Sequence, residues 1–244
     1  MLVETTYLQI KDNLTSKKHL TLKGLCENTT NYHVLVDSRG VDFGVAYVAK
    51  DSERLALATN NQQFLDEFFE QFQGQTKSIS GIDEFIYSYL KERYELEWHS
   101  DCGFFAYDGT PYTLNYKNKI GFLKKEHWQL VSDGTFYKAD QQEIFEAIDN
   151  RPTACIYDGD NPVCWCLVHT DNALGMLYTM PDYRHRGYAL EVMTCICERL
   201  LEKNMVPHAY IVKGNVASEK LAQKYYLRYC YDAYYCGVNF SKKK

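Results

Sequence analysis

Apolar and polar positions alternate most clearly in the second half of the chain. Residues 153–157, 163–169 and 173–179 read as three short strands. Asp158-Gly159-Asp160-Asn161-Pro162 and Asp171-Asn172 separate them, and turns this short predict an antiparallel meander. Pro181-Asp182-Tyr183 stops the third strand. The period then changes. Ala189, Val192, Met193, Ile196 and Leu200 fall on one stripe, which predicts a helix over 185–203 with one buried face. Residues 206–212 read as a strand, 217–227 as a helix and 229–239 as a last strand.

The first half repeats this order. Residues 33–38, 43–49 and 54–59 are strand-like. A helix is expected over 62–72, with Phe64, Leu65, Phe68, Phe69 and Phe72 on one side, then a strand over 76–80, a helix over 83–94 and an extended run over 96–107. A β-β-β-α-β-α-β order met twice suggests a structural duplication, although no residue-level repeat accompanies it. Turn residues and polar groups cluster between Gly109 and Lys125, so the expected division is 1–122 and 123–244, with a helix over 141–148 leading into the second unit.

Composition narrows the class. The 244 residues are 45% hydrophobic and 24% charged, as in ordinary globular chains, which excludes wholesale disorder. No apolar run approaches the ~20 residues of a membrane span, and the first twenty residues carry Glu4, Asp12 and several lysines with no apolar signal core. The expectation is a cytoplasmic chain with no membrane or secretory partner. A net charge of −5 argues against a general nucleic-acid binder. That total conceals an asymmetry, because residues 177–244 sum to +5 and residues 126–176 to −7. A basic segment in an acidic chain points to one local anionic ligand. The nine cysteines, with C-x-C pairs at Cys164/Cys166 and Cys195/Cys197 and no histidine at zinc-finger spacing, read as buried thiols with no metal. Among 21 tyrosines, Tyr225, Tyr226, Tyr229, Tyr231, Tyr234 and Tyr235 crowd the end, expected on the last helix and on edge strands.

The stretch from Leu177 to Leu190 carries the chemistry. A strand ends at a Pro stop, and a turn then enters a helix through Gly187 and the small Ala189. The unpaired amides and partial positive charge of a helix start suit a phosphate, and small residues let it approach. Arg184 and Arg186 add charge. The Lys-Ser/Thr of a nucleoside-triphosphate loop is missing, which argues against a kinase or ATPase.

Arg184-x-x-Gly187-x-Ala189 after a strand resembles the coenzyme A loop of the GNAT acetyltransferase superfamily, and Asn215 with Ser218 and Leu221 resembles its later motif. From Leu123 to Phe240 the chain is similar to the glycine N-acyltransferase branch: His127, then a helix, 153–157, Gly159, Val163-Cys164-Trp165 and Thr179-Met180-Pro181-Asp182-Tyr183-Arg184. The resemblance implies an α/β (α+β) fold of two tandem acyl-CoA N-acyltransferase units, with mostly antiparallel sheets flanked by helices. It implies acetyl-CoA or another acyl-CoA as cosubstrate and a small-molecule amine as acceptor, in a monomer or homodimer. The backbone of Leu177, Tyr178 and Thr179 would hold the pantetheine arm. Arg184 and the amides of His185, Arg186, Gly187, Tyr188, Ala189 and Leu190 would hold the diphosphate. Asn215 would reach the arm from the next helix.

The first half resembles a degenerate copy whose corresponding turn, 59–64, has neither Gly nor Arg and is expected not to bind CoA. The usual catalytic positions are also altered. Aligned on Arg184, the strand position where many relatives carry a Glu base is Ala173, with Asp171, Asp182 and His169 nearby. The position of the usual Tyr acid is Ala222, with Tyr225 and Tyr226 following. Asp171 and Tyr225 are the expected catalytic pair. The rival expectation is a non-catalytic CoA-binding or partner-binding module.

Overall fold

The computed structural model describes residues 1–50, 52–135, 138–224 and 227–243. The first stretch of chain forms β1 (Leu2–Thr5), the single turn α1 (Tyr7–Ile10), α2 (Leu20–Asn28), β2 (Tyr32–Asp37), β3 (Val45–Ala49), β4 (Arg54–Ala58), α3 (Gln62–Glu70), β5 (Thr76–Asp83), α4 (Glu84–Arg93) and β6 (Tyr94–Tyr107). There follow α5 (Trp128–Gly134), α6 (Gln141–Asn150), β7 (Ala154–Asp158), β8 (Asn161–Val168), β9 (Leu174–Thr179), α7 (Tyr188–Glu202), β10 (His208–Val212), α8 (Val216–Lys224) and β11 (Leu227–Lys243). Both runs of strand and helix appear in the expected order, with β1, α1, α2 and α5 added. Among the described residues no helix is long and apolar enough to cross a membrane.

Two units divide the chain. The first holds Met1–Phe104, Tyr210–Asn215 and Cys230–Lys244, and the second holds Phe105–Ala209 and Val216–Tyr229. An eight-stranded sheet, ordered β1-β2-β3-β4-β5-β11-β6-β10, lies chiefly in the first. Its first four strands form an antiparallel meander, β5 joins β4 in parallel, and β11 runs antiparallel to β5 with Ala233 opposite Asp83 and Asn239 opposite Thr76. β11 is therefore an interior strand rather than the edge strand expected from its sequence. Its aromatic residues explain why. Phe240 stacks on Phe69 at 5.2 Å and meets Tyr94 edge-on at 4.8 Å, while Tyr234 stacks flat on Tyr87 at 4.0 Å. Such pairs add about 0.5–1.5 kcal/mol each beyond the area they bury. α3 presents Phe64, Leu65, Phe68 and Phe69 to the same core, as its stripe predicts.

In the second unit β7, β8 and β9 form a three-stranded antiparallel sheet. Alternation along β8 splits its side chains between two layers. Trp165 and Leu167 join Val131 of α5 and Ile144 and Ala147 of α6 in one core. Cys164 and Cys166, the intervening positions, point to the other face, against which α7 packs. α7 buries Val192, Met193, Ile196, Cys197 and Leu200. Both units are thus mostly antiparallel sheets flanked by helices, the expected α+β class.

Candidate functional site

The third meander strand of the second unit is not regular. Leu167 opposes Gly175 and Trp165 opposes Tyr178, so Met176 and Leu177 together face Cys166 alone. Two residues against one is a β-bulge, and Met176 within it has a left-handed φ of 51°. A bulge disrupts the regular ladder locally. The other edge of β9 has one parallel bridge, Ala173 to His208, and carries no strand beyond it in this sheet. Among the described residues, Leu177, Tyr178 and Thr179 consequently present backbone along an edge with no strand partner, Thr179 O accepting from the Arg184 side chain. Cys164 Sγ lies 3.1 Å from Thr179 Oγ1, and burial pushes its thiol up to about 12, which makes it packing material rather than a thiolate nucleophile.

After β9 the chain turns at Pro181-Asp182-Tyr183 and enters α7 through two left-handed residues, His185 (φ 62°) and Gly187 (φ 85°). Gly187 is the N-cap and supplies no side-chain cap. The first N–H groups of the helix to find a carbonyl belong to Leu190 and Glu191, both on Gly187 O, so those of Tyr188 and Ala189 precede the first turn. Residues 184–187 are exposed, and a Cβ placed on Gly187 would meet nothing within 4 Å. The helix start is therefore open around Gly187. Arg184 Nε donates to Thr179 O (3.1 Å) and Arg186 Nη2 to Asp182 O (2.8 Å), which fixes both cations beside the turn. The acid in the first helical turn, Glu191, is 5% exposed and accepts from Asn118 N (3.1 Å) and Asn118 Nδ2 (3.0 Å). Its negative charge is thereby spent inside the fold rather than at the helix mouth.

The remaining expected residues are distributed as follows. Asp171 lies in the β8–β9 turn, not on the strand, which begins at Leu174. It is 8% exposed and its Oδ1 accepts the Ala173 N–H at 3.1 Å, as an Asx turn requires. Beside it is His208, wholly buried; burial holds that imidazole below its ordinary pKa, against the opposing pull of Asp171. Ala222 is buried on α8. Tyr225 and Tyr226 lie outside the described residues. Asn215 sits in the turn just before α8 rather than on it, donating its N–H to Val212 O (3.1 Å), and clusters with the first unit. Asp182 is exposed.

The corresponding turn of the first unit is built differently. Asn61, the N-cap of α3, has φ −111° and accepts the Gln63 N–H on its own side chain (3.1 Å). Thr59 Oγ1 accepts the Asn61 N–H at 2.9 Å. Lys18 Nζ bonds Asn60 Oδ1 at 3.0 Å and pairs with Asp83, whose other oxygen caps α4 through the Ile86 N–H. The second amide of α3, the counterpart of Ala189 N–H in α7, is satisfied here by the chain itself.

Sequence reasoning identified Gly187 and the arginines but missed the bulge and the role of Glu191.

Residues 156–230 match the FR47-like protein family. A glycine N-acyltransferase from Pongo abelii is 26% identical over 119 residues, 47% of this chain and 40% of that protein, so the chain spans well under half the length of the relative it matches. A Drosophila protein solved by a structural genomics consortium superposes with a TM-score of 0.75 at 13% identity, over 99% of each chain. A tandem GNAT protein from the clavulanic acid biosynthesis pathway superposes with a TM-score of 0.51 at 11% identity, over 98% of each chain. At these identities the shared property is the fold, including its two-unit form.

Proposed function

We propose that this chain, a member of the GNAT superfamily, moves an acyl group from acyl-CoA to the amine of a small molecule or amino acid by direct attack. The observation that carries the reading is the open helix start at Gly187 directly after a bulged strand. Tyr188 and Ala189 offer amides to a diphosphate, with Arg184 and Arg186 adding charge. The strand edge at Leu177, Tyr178 and Thr179 suits the amide-rich pantetheine arm. The thioester supplies the activated carbonyl, and a backbone N–H on the strand from Leu177 onward polarises its oxygen. Holding amine and thioester together contributes several kcal/mol of the barrier reduction. All nine cysteines are free thiols, which supports a reducing, cytoplasmic setting.

A second reading has its own support. Ala173 and Ala222 are 2% and 1% exposed, methyl groups where the resemblance puts a base and an acid. A chain that keeps the cradle and has lost turnover would be a CoA-binding module. Calorimetric titration with acetyl-CoA and longer acyl-CoAs, followed by CoA release over a broad amine panel, separates the two. Binding with turnover supports the enzyme; binding with no turnover on any amine leaves the module; no binding removes both.

A further inference from the structure

Between β6 and α5 the chain runs outside helix and strand over residues 108–124, and part of this segment lies along α7. It is tied down at two points. Gly121 exchanges backbone hydrogen bonds with Cys155 of β7 (2.9 and 3.1 Å), and Tyr116 Oη donates to Glu198 Oε2 of α7 at 2.5 Å. Between these points the segment meets Glu191, which stands seven residues before Glu198 on the same side of the helix. Lys117 N donates to Glu191 Oε1 at 3.3 Å, and Asn118 N and Nδ2 both donate to Oε2, at 3.1 and 3.0 Å. Both carboxylate oxygens are thus held, and the residue is 5% exposed.

This is an unusual direction for an acid in the first turn of a helix. The helix dipole favours a carboxylate near the unpaired amides, and first-turn acids commonly turn back to them. At α7 those amides have no side-chain cap, since Gly187 is the N-cap. We propose that Asn118 is a positioning residue for acyl-CoA binding: it keeps the Glu191 carboxylate in the fold and so leaves the start of α7 to the diphosphate. This rests on the acyl-CoA reading above. A carboxylate released to the helix mouth would compete for the same N–H groups and repel the same ligand. The amide suits the task because Nδ2 can only donate, which a buried carboxylate needs. An aspartate, of the same size, would bring a second acceptor and a second negative charge.

The test titrates the full chain with acetyl-CoA and with S-acetylpantetheine, which keeps the thioester and arm and carries no phosphate. Asn118→Asp is expected to raise the acetyl-CoA Kd about five- to thirtyfold, the effect of one like charge some 5 Å from the diphosphate at an exposed site. The loss should shrink as salt is raised. The acetylpantetheine Kd should stay near the wild-type value, since that ligand has no charge to repel. Adding Glu191→Gln to Asn118→Asp, which removes the displaced charge and lets the new amide donate to the aspartate, should restore the wild-type ratio of the two affinities. Asn118→Ala, which deletes only the Nδ2 donor, should show the same split at smaller size, and it carries the test if Asn118→Asp fails to melt as a folded protein. Equal losses with both ligands would mark a structural role. That result would overturn the assignment, as would unchanged acetyl-CoA affinity in the folded variants or a loss that Glu191→Gln does not repair; acyl-CoA binding itself would stand. No binding of acetyl-CoA by the wild type removes both.

Discussion

Gly187 separates backbone strain from ligand contact, which makes it the sharpest probe of the cradle. Its φ of 85° and ψ of −1° are left-handed, and a Cβ there meets nothing within 4 Å. Gly187→Ala therefore carries a conformational cost of about 1–2 kcal/mol and no steric one. In a chain of this size that lowers Tm by roughly 2–4 °C per kcal/mol. Gly187→Asn, which tolerates this conformation, should lose less stability. Gly187→Glu adds a negative charge at the mouth of α7, where the diphosphate is proposed to sit. A like charge some 5 Å away at an exposed site costs about 1–2 kcal/mol, or roughly five- to thirtyfold in Kd. The series should therefore rank one way by thermal melting, with Asn above Ala, and another by acetyl-CoA titration, with Glu weakest. Glu binding as tightly as the wild type, in a folded protein, would refute the placement of the diphosphate.

Three further outcomes follow from burial. His19 and His208 are both held below the ordinary value of 6.5, chiefly by desolvation, so the unfolded chain takes up their protons first. Their contribution is fully present above pH 6.5 and is lost as pH falls below it, by up to about 1.4 kcal/mol per pH unit for each ring; urea midpoints that stay flat from pH 7.5 to 5.5 would contradict this. Phe68 is fully buried and meets Phe69 and Phe72 edge-on at 5.1 and 5.2 Å, so Phe68→Ala should cost about 3–5 kcal/mol, read as a large drop in the melting of the first unit, and a loss under about 1 kcal/mol would mean that the phenylalanine cluster is not a packed core. Only Cys195 and Cys230 are partly exposed, so alkylation of the native chain followed by mass spectrometry should label these two first; rapid labelling of Cys166 or Cys197, whose thiols burial pushes up, would show that the β8–α7 packing opens readily.

What was legible in the sequence follows from how local each signal is. α3 and α7 were read from their apolar stripes because each buries one face and wets the other. α2 has no such stripe: Leu20, Thr21, Leu22, Gly24, Leu25 and Cys26 are all buried, and a glycine sits in its middle. β1 is four residues long, too short for alternation to register. The residues of β11 were read as strand, but its place between β5 and β6 depends on pairing across most of the chain. The site divides in the same way. Gly187, Arg184 and Arg186 lie within four residues and formed a motif. The bulge at Met176 exists only against Cys166, and His169 meets Glu143 only once α6 is laid on the sheet.

The two units also show why the same element order need not carry the same chemistry. In each, a helix follows a meander strand and begins with amides that its own backbone cannot satisfy. Asn61 and Thr59 spend side-chain oxygens on the amides at the first of these helix starts, and Lys18 ties the neighbouring Asn60 to Asp83. Gly187 has no side chain to spend, and the acid that could have quenched the second helix start, Glu191, is turned onto Asn118. An anion at α3 would have to displace a cap worth about 1 kcal/mol. At α7 it would supply the missing acceptor. Arg184 and Arg186, two of the cations of the basic segment 177–244, are held beside that helix start. The difference between the units therefore lies less in the fold than in which helix is left uncapped.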